Sequence, residues 1–125
     1  MREILFRGKE KLTGVWRYGS LLKYPNAATI KQIYGDRVFH TATYEIIPET
    51  VGQFTGLTDK NGTKIFEGDI IRDADGDVMI VKWLTEGATF VLEPKPYVSV
   101  HFYSTLPSEI EVIGNIHDNS ELLTE

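Results

Sequence analysis

The chain has 125 residues, 42% of them apolar and 25% charged, with a net charge of −5, which excludes wholesale disorder and describes a globular protein able to bury a core. It contains no cysteine, which excludes disulfides, thiol catalysis and thiolate metal sites. No apolar run reaches the roughly 18 residues of a membrane span, and the start, Met1 to Arg7, has no long apolar stretch, so the expected location is cytoplasmic, away from the membrane.

Charge is uneven along the chain. Residues 1–40 hold eight basic residues against three acidic ones, and residues 41–125 hold five against fifteen. Such a split marks a nucleic-acid-binding arm, or two parts of one molecule, or two protomers, that pack with opposite charge. Segments 2–7 and 13–18 read as strands. Around them Arg2, Arg7, Lys9 and Lys11 gather near Trp16-Arg17-Tyr18, and these seven residues form the candidate interaction surface. Exposed rings beside cations can stack bases while the cations neutralise phosphates. Alternatively, Trp16 or Tyr18 belongs to the core, and the basic residues guard a strand edge against aggregation.

Pro25-Asn26 interrupts Ser20–Tyr34, and Ala27–Tyr34 fits either one or two helical turns or a strand. Val38–Ile46 alternates, with Val38, His40, Ala42, Tyr44 and Ile46 on the more apolar face. The composition turns acidic around Ile47–Gly52, which divides the chain into an N-terminal β segment or arm, 1–47, and a C-terminal β domain, 48–125, within one compact unit. Asn61-Gly62 then reads as a tight turn between two short apolar runs, and Gly68-Asp69 launches a strand over 69–73.

Asp73-Ala-Asp-Gly-Asp77 has the acidic spacing of a calcium loop but not its pattern. Val78 stands where the loop glycine belongs and Leu84 where the bidentate glutamate belongs, so a hairpin turn is expected instead. Asp77–Leu84 is nearly continuously apolar, as in a central strand buried on both sides, and places Trp83 in the core. Further strands are expected at 88–92, 97–103 and 109–116, followed by one helical turn over Asn119–Leu123. Many short strands with turn residues between them specify a mainly β protein, an antiparallel sandwich or barrel with little helix.

No phosphate-binding glycine loop, dinucleotide fingerprint or nucleophile elbow is present. His40, His101 and His117 lack the short spacing of a zinc site, so no metal or cofactor is expected. His101 beside Glu109 or Glu111 offers an acid/base pair at most, and more simply a polar cross-strand pair.

Three segments carry a family resemblance: Met1-Arg-Glu-Ile4 with Phe6-Arg7; Phe54-Thr-Gly-Leu57, Asp59-Lys-Asn-Gly62 and Ile65-Phe-Glu-Gly-Asp-Ile70; and Glu111-Val-Ile-Gly-Asn-Ile116 with Asn119 and Glu121-Leu-Leu123. In order and spacing they resemble the YopX-like proteins of bacteriophages and prophages. The resemblance implies a mainly β fold, a bacterial host cytoplasm and no active-site residues. Read physically, Gly56, Gly62, Gly68 and Gly114 would serve turns or close backbone approach, and Asp69 would bond neighbouring amides.

The expected function is that of a non-enzymatic phage or prophage accessory protein that binds a phage or host protein, or itself as a homo-oligomer. The alternative is a nucleic-acid-binding β module using the basic N-terminal segment. An unrecognised hydrolase built on His101 is the least supported choice.

Overall fold

A computed structural model describes residues 3–34, 40–93 and 109–123, together with the backbone of 95–99. Strand makes up 57% and helix 8%, and no helix among the described residues reaches seven residues, so the mainly β, antiparallel class is established. The chain forms two compact units, Met1–Phe54 and Thr55–Glu125.

In the first unit, β1 (Phe6–Lys9), β2 (Trp16–Tyr24), β3 (Ala27–Ile33) and β4 (Thr41–Ile46) follow one another as antiparallel neighbours. The segment that periodicity left open between helix and strand is β3. Pro25-Asn26, which reads in the sequence as an interruption, is the turn of the β2–β3 hairpin, flanked by the Tyr24↔Ala27 pair. Alternation then works as expected: Ala28, Ile30 and Ile46 form the core, with Phe6, Leu21, Tyr44 and Val51 against them.

Strand β2 changes partner midway. Residues 16–19 pair with β1, while residues 20–24 pair with β3. The change falls at Gly19, where a Cβ would lie 2.2 Å from the backbone oxygen of Lys31. No real Cβ is found that close, so only glycine permits this bend. The end of β1 then meets the end of β4 through a Glu10↔Ile46 bridge, Lys11 N to Glu45 O at 2.8 Å and Ile47 N to Lys9 O at 2.9 Å, which closes the four strands on themselves. A 3-10 turn, Pro48–Thr50, leads into β5 (Gly52–Thr58), whose first residues pair with β1.

Strand β5 continues into the second unit and pairs there with β6 (Lys64–Phe66). The five-stranded antiparallel sheet has the order β10-β9-β8-β7-β11, made from β7 (Asp69–Arg72), β8 (Val78–Leu84), β9 (Thr89–Glu93), β10 (Lys95–Ser99) and β11 (Glu111–Asn115). Its core is Ile65, Ile71, Met79, Val81, Phe90, Leu92 and Ile110. Strand β8 is central, as its apolar run implied, but Met79 and Val81 are buried while Val78 and Ile80 on the opposite face are only half-buried. Trp83 corrects the core assignment: it is 45% exposed. It follows Met79 and Val81 on the core face but lies next to the β8–β9 hairpin, where Phe90 packs edge-on against it at 4.9 Å.

Of the expected glycine positions, Gly56, Gly62 and Gly68 have positive φ, and at Gly114 the side chain of Asn119 fills the space of a Cβ. Three aspartates organise the turns. Asp59 is 3% exposed, and its carboxylate accepts the amides of Asn61 at 2.8 Å, Thr63 at 2.9 Å and Val112 at 2.8 Å. Asp69, also buried, accepts the Phe66 amide at 2.7 Å, as expected for the start of its strand. Asp73 accepts the amides of Asp75 and Asp77 within the expected hairpin, where Gly76 has φ +86°. Ser120–Leu123 is one 3-10 turn, in agreement with the expected single turn.

Candidate functional site

The seven residues singled out in the N-terminal segment separate by strand parity. Arg7, Lys9, Trp16 and Tyr18 share one face, since Arg7 pairs with Tyr18 and Lys9 with Trp16. This face lies opposite the core of Ile30 and Leu21, and of its four residues Tyr18 is exposed, Lys9 and Trp16 are half-buried and Arg7 is buried. The Arg7 guanidinium lies 4.8 Å from the Trp16 ring centre and the Lys9 ammonium 5.9 Å from it, so two cations lie within cation–π distance of the indole. Arg7 is itself only 7% exposed.

Arg17 has the opposite parity and projects over the core side. Its Nε and a terminal nitrogen donate to one oxygen of Glu10 at 2.9 and 2.7 Å, and its guanidinium lies 3.9 Å from the Tyr44 ring centre. The Glu10 hydrogen bond, first, and the nearby tyrosines raise its pKa further above an already high value. Lys11, in the β1–β2 loop, is 3.2 Å from Glu45. Arg2 lies outside the described residues. Next to Arg17, the hydroxyls of Tyr34 and Tyr44 hydrogen-bond to each other, and this bond, with burial second, raises the Tyr34 pKa above 10.0.

The outward face continues past Tyr18 with features that the sequence reading missed. Tyr18, Leu22, Tyr24 and Ile33 are 41%, 56%, 48% and 53% exposed. The register gathers them, since Ser20 pairs with Lys31 and Leu22 with Thr29, so the even residues of β2 and the odd residues of β3 point outward together. Period-2 alternation over 16–24 could have shown this row, but the glycine at 19 and the proline at 25 masked the strand. Beside Gly19 the surface dips into a shallow depression of about 230 Å³ lined by Ile4, Leu5, Tyr18, Gly19, Ser20, Lys31, Gln32 and Ile33.

Other chemical candidates are less developed. The carboxylates of Asp73, Asp75 and Asp77 lie within 4.8 Å of one another on an exposed hairpin. Asp73 already spends an oxygen on two amides, so the cluster is explained by the turn it builds. His40 and His117 are exposed, and His101 lies outside the described residues together with its proposed pairing. Glu111 faces Arg72 at 3.2 Å and Asn61 at 3.3 Å, a structural role between β7 and the Asp59 turn. No helix among the described residues is long and apolar enough to cross a membrane.

The sequence profile described as YopX protein matches residues 5–124. The crystal structure of protein EF1440 from Enterococcus faecalis superposes with a TM-score of 0.64 at 23% identity, covering 98% of this chain and 99% of that one. At that identity the likeness is one of fold. No curated protein matches the sequence.

Proposed function

The chain belongs to the YopX family, and from that premise we propose that it is a non-enzymatic accessory protein of a bacteriophage or prophage that acts by binding protein, a second copy of itself included. The observation that carries this reading is the exposed row Tyr18, Leu22, Tyr24 and Ile33 on one sheet face of the first unit. Grouped tyrosines and aliphatic residues are costly to leave in water and characteristic of the centres of protein interfaces.

Nucleic acid is the weaker partner because the cations that phosphates would require are engaged. Glu10 holds Arg17, Glu45 holds Lys11, and Arg7 is buried beside Trp16. Releasing Arg17 from its partly buried pair with Glu10, and Arg7 from its buried position, would offset part of what phosphate contacts supply, whereas the exposed Lys11–Glu45 pair would cost little to break. The test is affinity capture of tagged full-length protein, with and without nuclease, using wild type and Leu22→Asp. Capture of a protein that survives nuclease and is lost in the variant supports the reading. Capture that nuclease abolishes overturns it.

A further inference from the structure

We propose that the depression beside Gly19 is a docking site for the Ser120–Leu123 turn of a second copy of this chain. The inference rests on the protein-binding reading above and names the partner and its contact.

Three observations converge on that occupant. The first is size: at about 230 Å³ the depression is smaller than the roughly 300–1,000 Å³ of small-molecule sites, so it accommodates one or two side chains. The second is chemistry. Ile4, Tyr18 and Ile33 supply an apolar lining and Lys31 a cation, while the Ser120–Leu123 turn presents Leu122 and Leu123, 38% and 39% exposed, directly after the acidic Glu121. The third is charge complementarity. The first unit carries eight basic residues against five acidic ones, and the second carries five against thirteen. Two first units therefore repel, whereas the first unit of one copy attracts the second unit of another. The contact joins two different patches and is therefore heterologous, so each copy offers one depression and one turn to its neighbours.

The test is sedimentation of the full chain over a wide concentration range, with Ile33→Asp as a depression variant and Leu122→Asp/Leu123→Asp as a turn variant. All the substituted side chains are exposed, and circular dichroism checks that both variants fold. Each variant alone should lose self-association by about tenfold or more, the size expected for an interface anchor. Mixed in equal amounts they should form a one-to-one complex through the single contact that joins the intact turn of one variant to the intact depression of the other. A peptide spanning residues 118–123 should compete with wild-type association.

Three outcomes overturn the proposal: self-association that neither variant weakens, two weakened variants that do not complement, or a wild type that stays monomeric. A monomer whose nuclease-resistant capture of another protein is still lost in Ile33→Asp leaves the protein-binding reading standing and removes this one. A monomer that binds an oligonucleotide in a salt-sensitive way, lost in Lys31→Glu, removes both.

Discussion

The two units solve the same problem, holding short antiparallel strands together, by different means. In the first, a core of three fully buried residues is surrounded by backbone that approaches closely, and Gly19 lets β2 leave one neighbour for the next. In the second, a seven-residue core is supplemented by carboxylates that gather backbone amides at the turns. The difference teaches where each unit is brittle: the first to added volume, the second to a removed acceptor.

Gly19→Ala should show the larger sensitivity. Its Cβ would meet backbone rather than a side chain that could swing away, so we expect a loss of about 3 kcal/mol, measured by denaturant unfolding. A loss below about 1 kcal/mol would show that β2 bends without needing glycine there. Asp59→Ala comes next. It leaves three amides without their acceptor, one of them on a strand 53 residues away, and should cost about 2–3 kcal/mol. The matched control is Asp73→Ala, whose two amides are local and exposed to water, with an expected cost of about 0.5 kcal/mol. Equal losses for the two aspartates would erase the distinction between a structural and a merely local turn.

Gly62→Val sharpens the comparison from inside the second unit. Nothing lies within 4 Å of the added Cβ, so the whole effect is the conformational cost of a branched residue at φ +81°. That cost is about 1 kcal/mol, well below that of Gly19→Ala. An equal loss of thermal stability at both sites would contradict the division between volume and backbone angle.

The smallest effect is a titration in the first unit. Tyr34 ionises above the usual phenol value because the Tyr44 hydroxyl holds its neutral form. The folded pKa is the raised one, so the contribution to stability is fully present below about pH 10 and is lost as pH rises through the folded value. Ultraviolet titration should show a late-ionising tyrosine in wild type, and Tyr44→Phe should move it toward the ordinary range. An unchanged titration would remove the hydroxyl pair as the cause.

The second unit was the more legible in the sequence. Asn61-Gly62, Asp73 to Asp77 and Gly68-Asp69 each announce a turn or a strand start through residue types whose local chemistry is self-sufficient. Trp83 was misread because an apolar run does not reveal how near a strand residue lies to its hairpin. In the first unit the decisive facts are relational. Gly19 matters because of Lys31, and Arg17 faces Glu10 while its neighbours Trp16 and Tyr18 face outward. Proximity in sequence grouped them, and strand parity separated them. Alternation over 16–24 already aligns Tyr18, Leu22 and Tyr24, whereas Ile33 joins their row only because Pro25-Asn26 turns the chain back as β3.

The amide of Val112 bonded to Asp59 carries a consequence for synthesis. A chain emerging from the ribosome N-terminus first has β1 to β4 in hand by Ile46, each an antiparallel neighbour of the next, so that they can pair in order. The second unit cannot finish in that manner. Asp59 and strand β7 must wait for β11, which begins at Glu111 and is the last strand in chain order among the described residues. Between the synthesis of Arg72 and that of Glu111 the nascent protein therefore carries the strands of its first unit and a second unit with one edge of β7 still vacant. A chain cut short before Glu111 would expose that unpaired edge of β7, ready to pair with another strand.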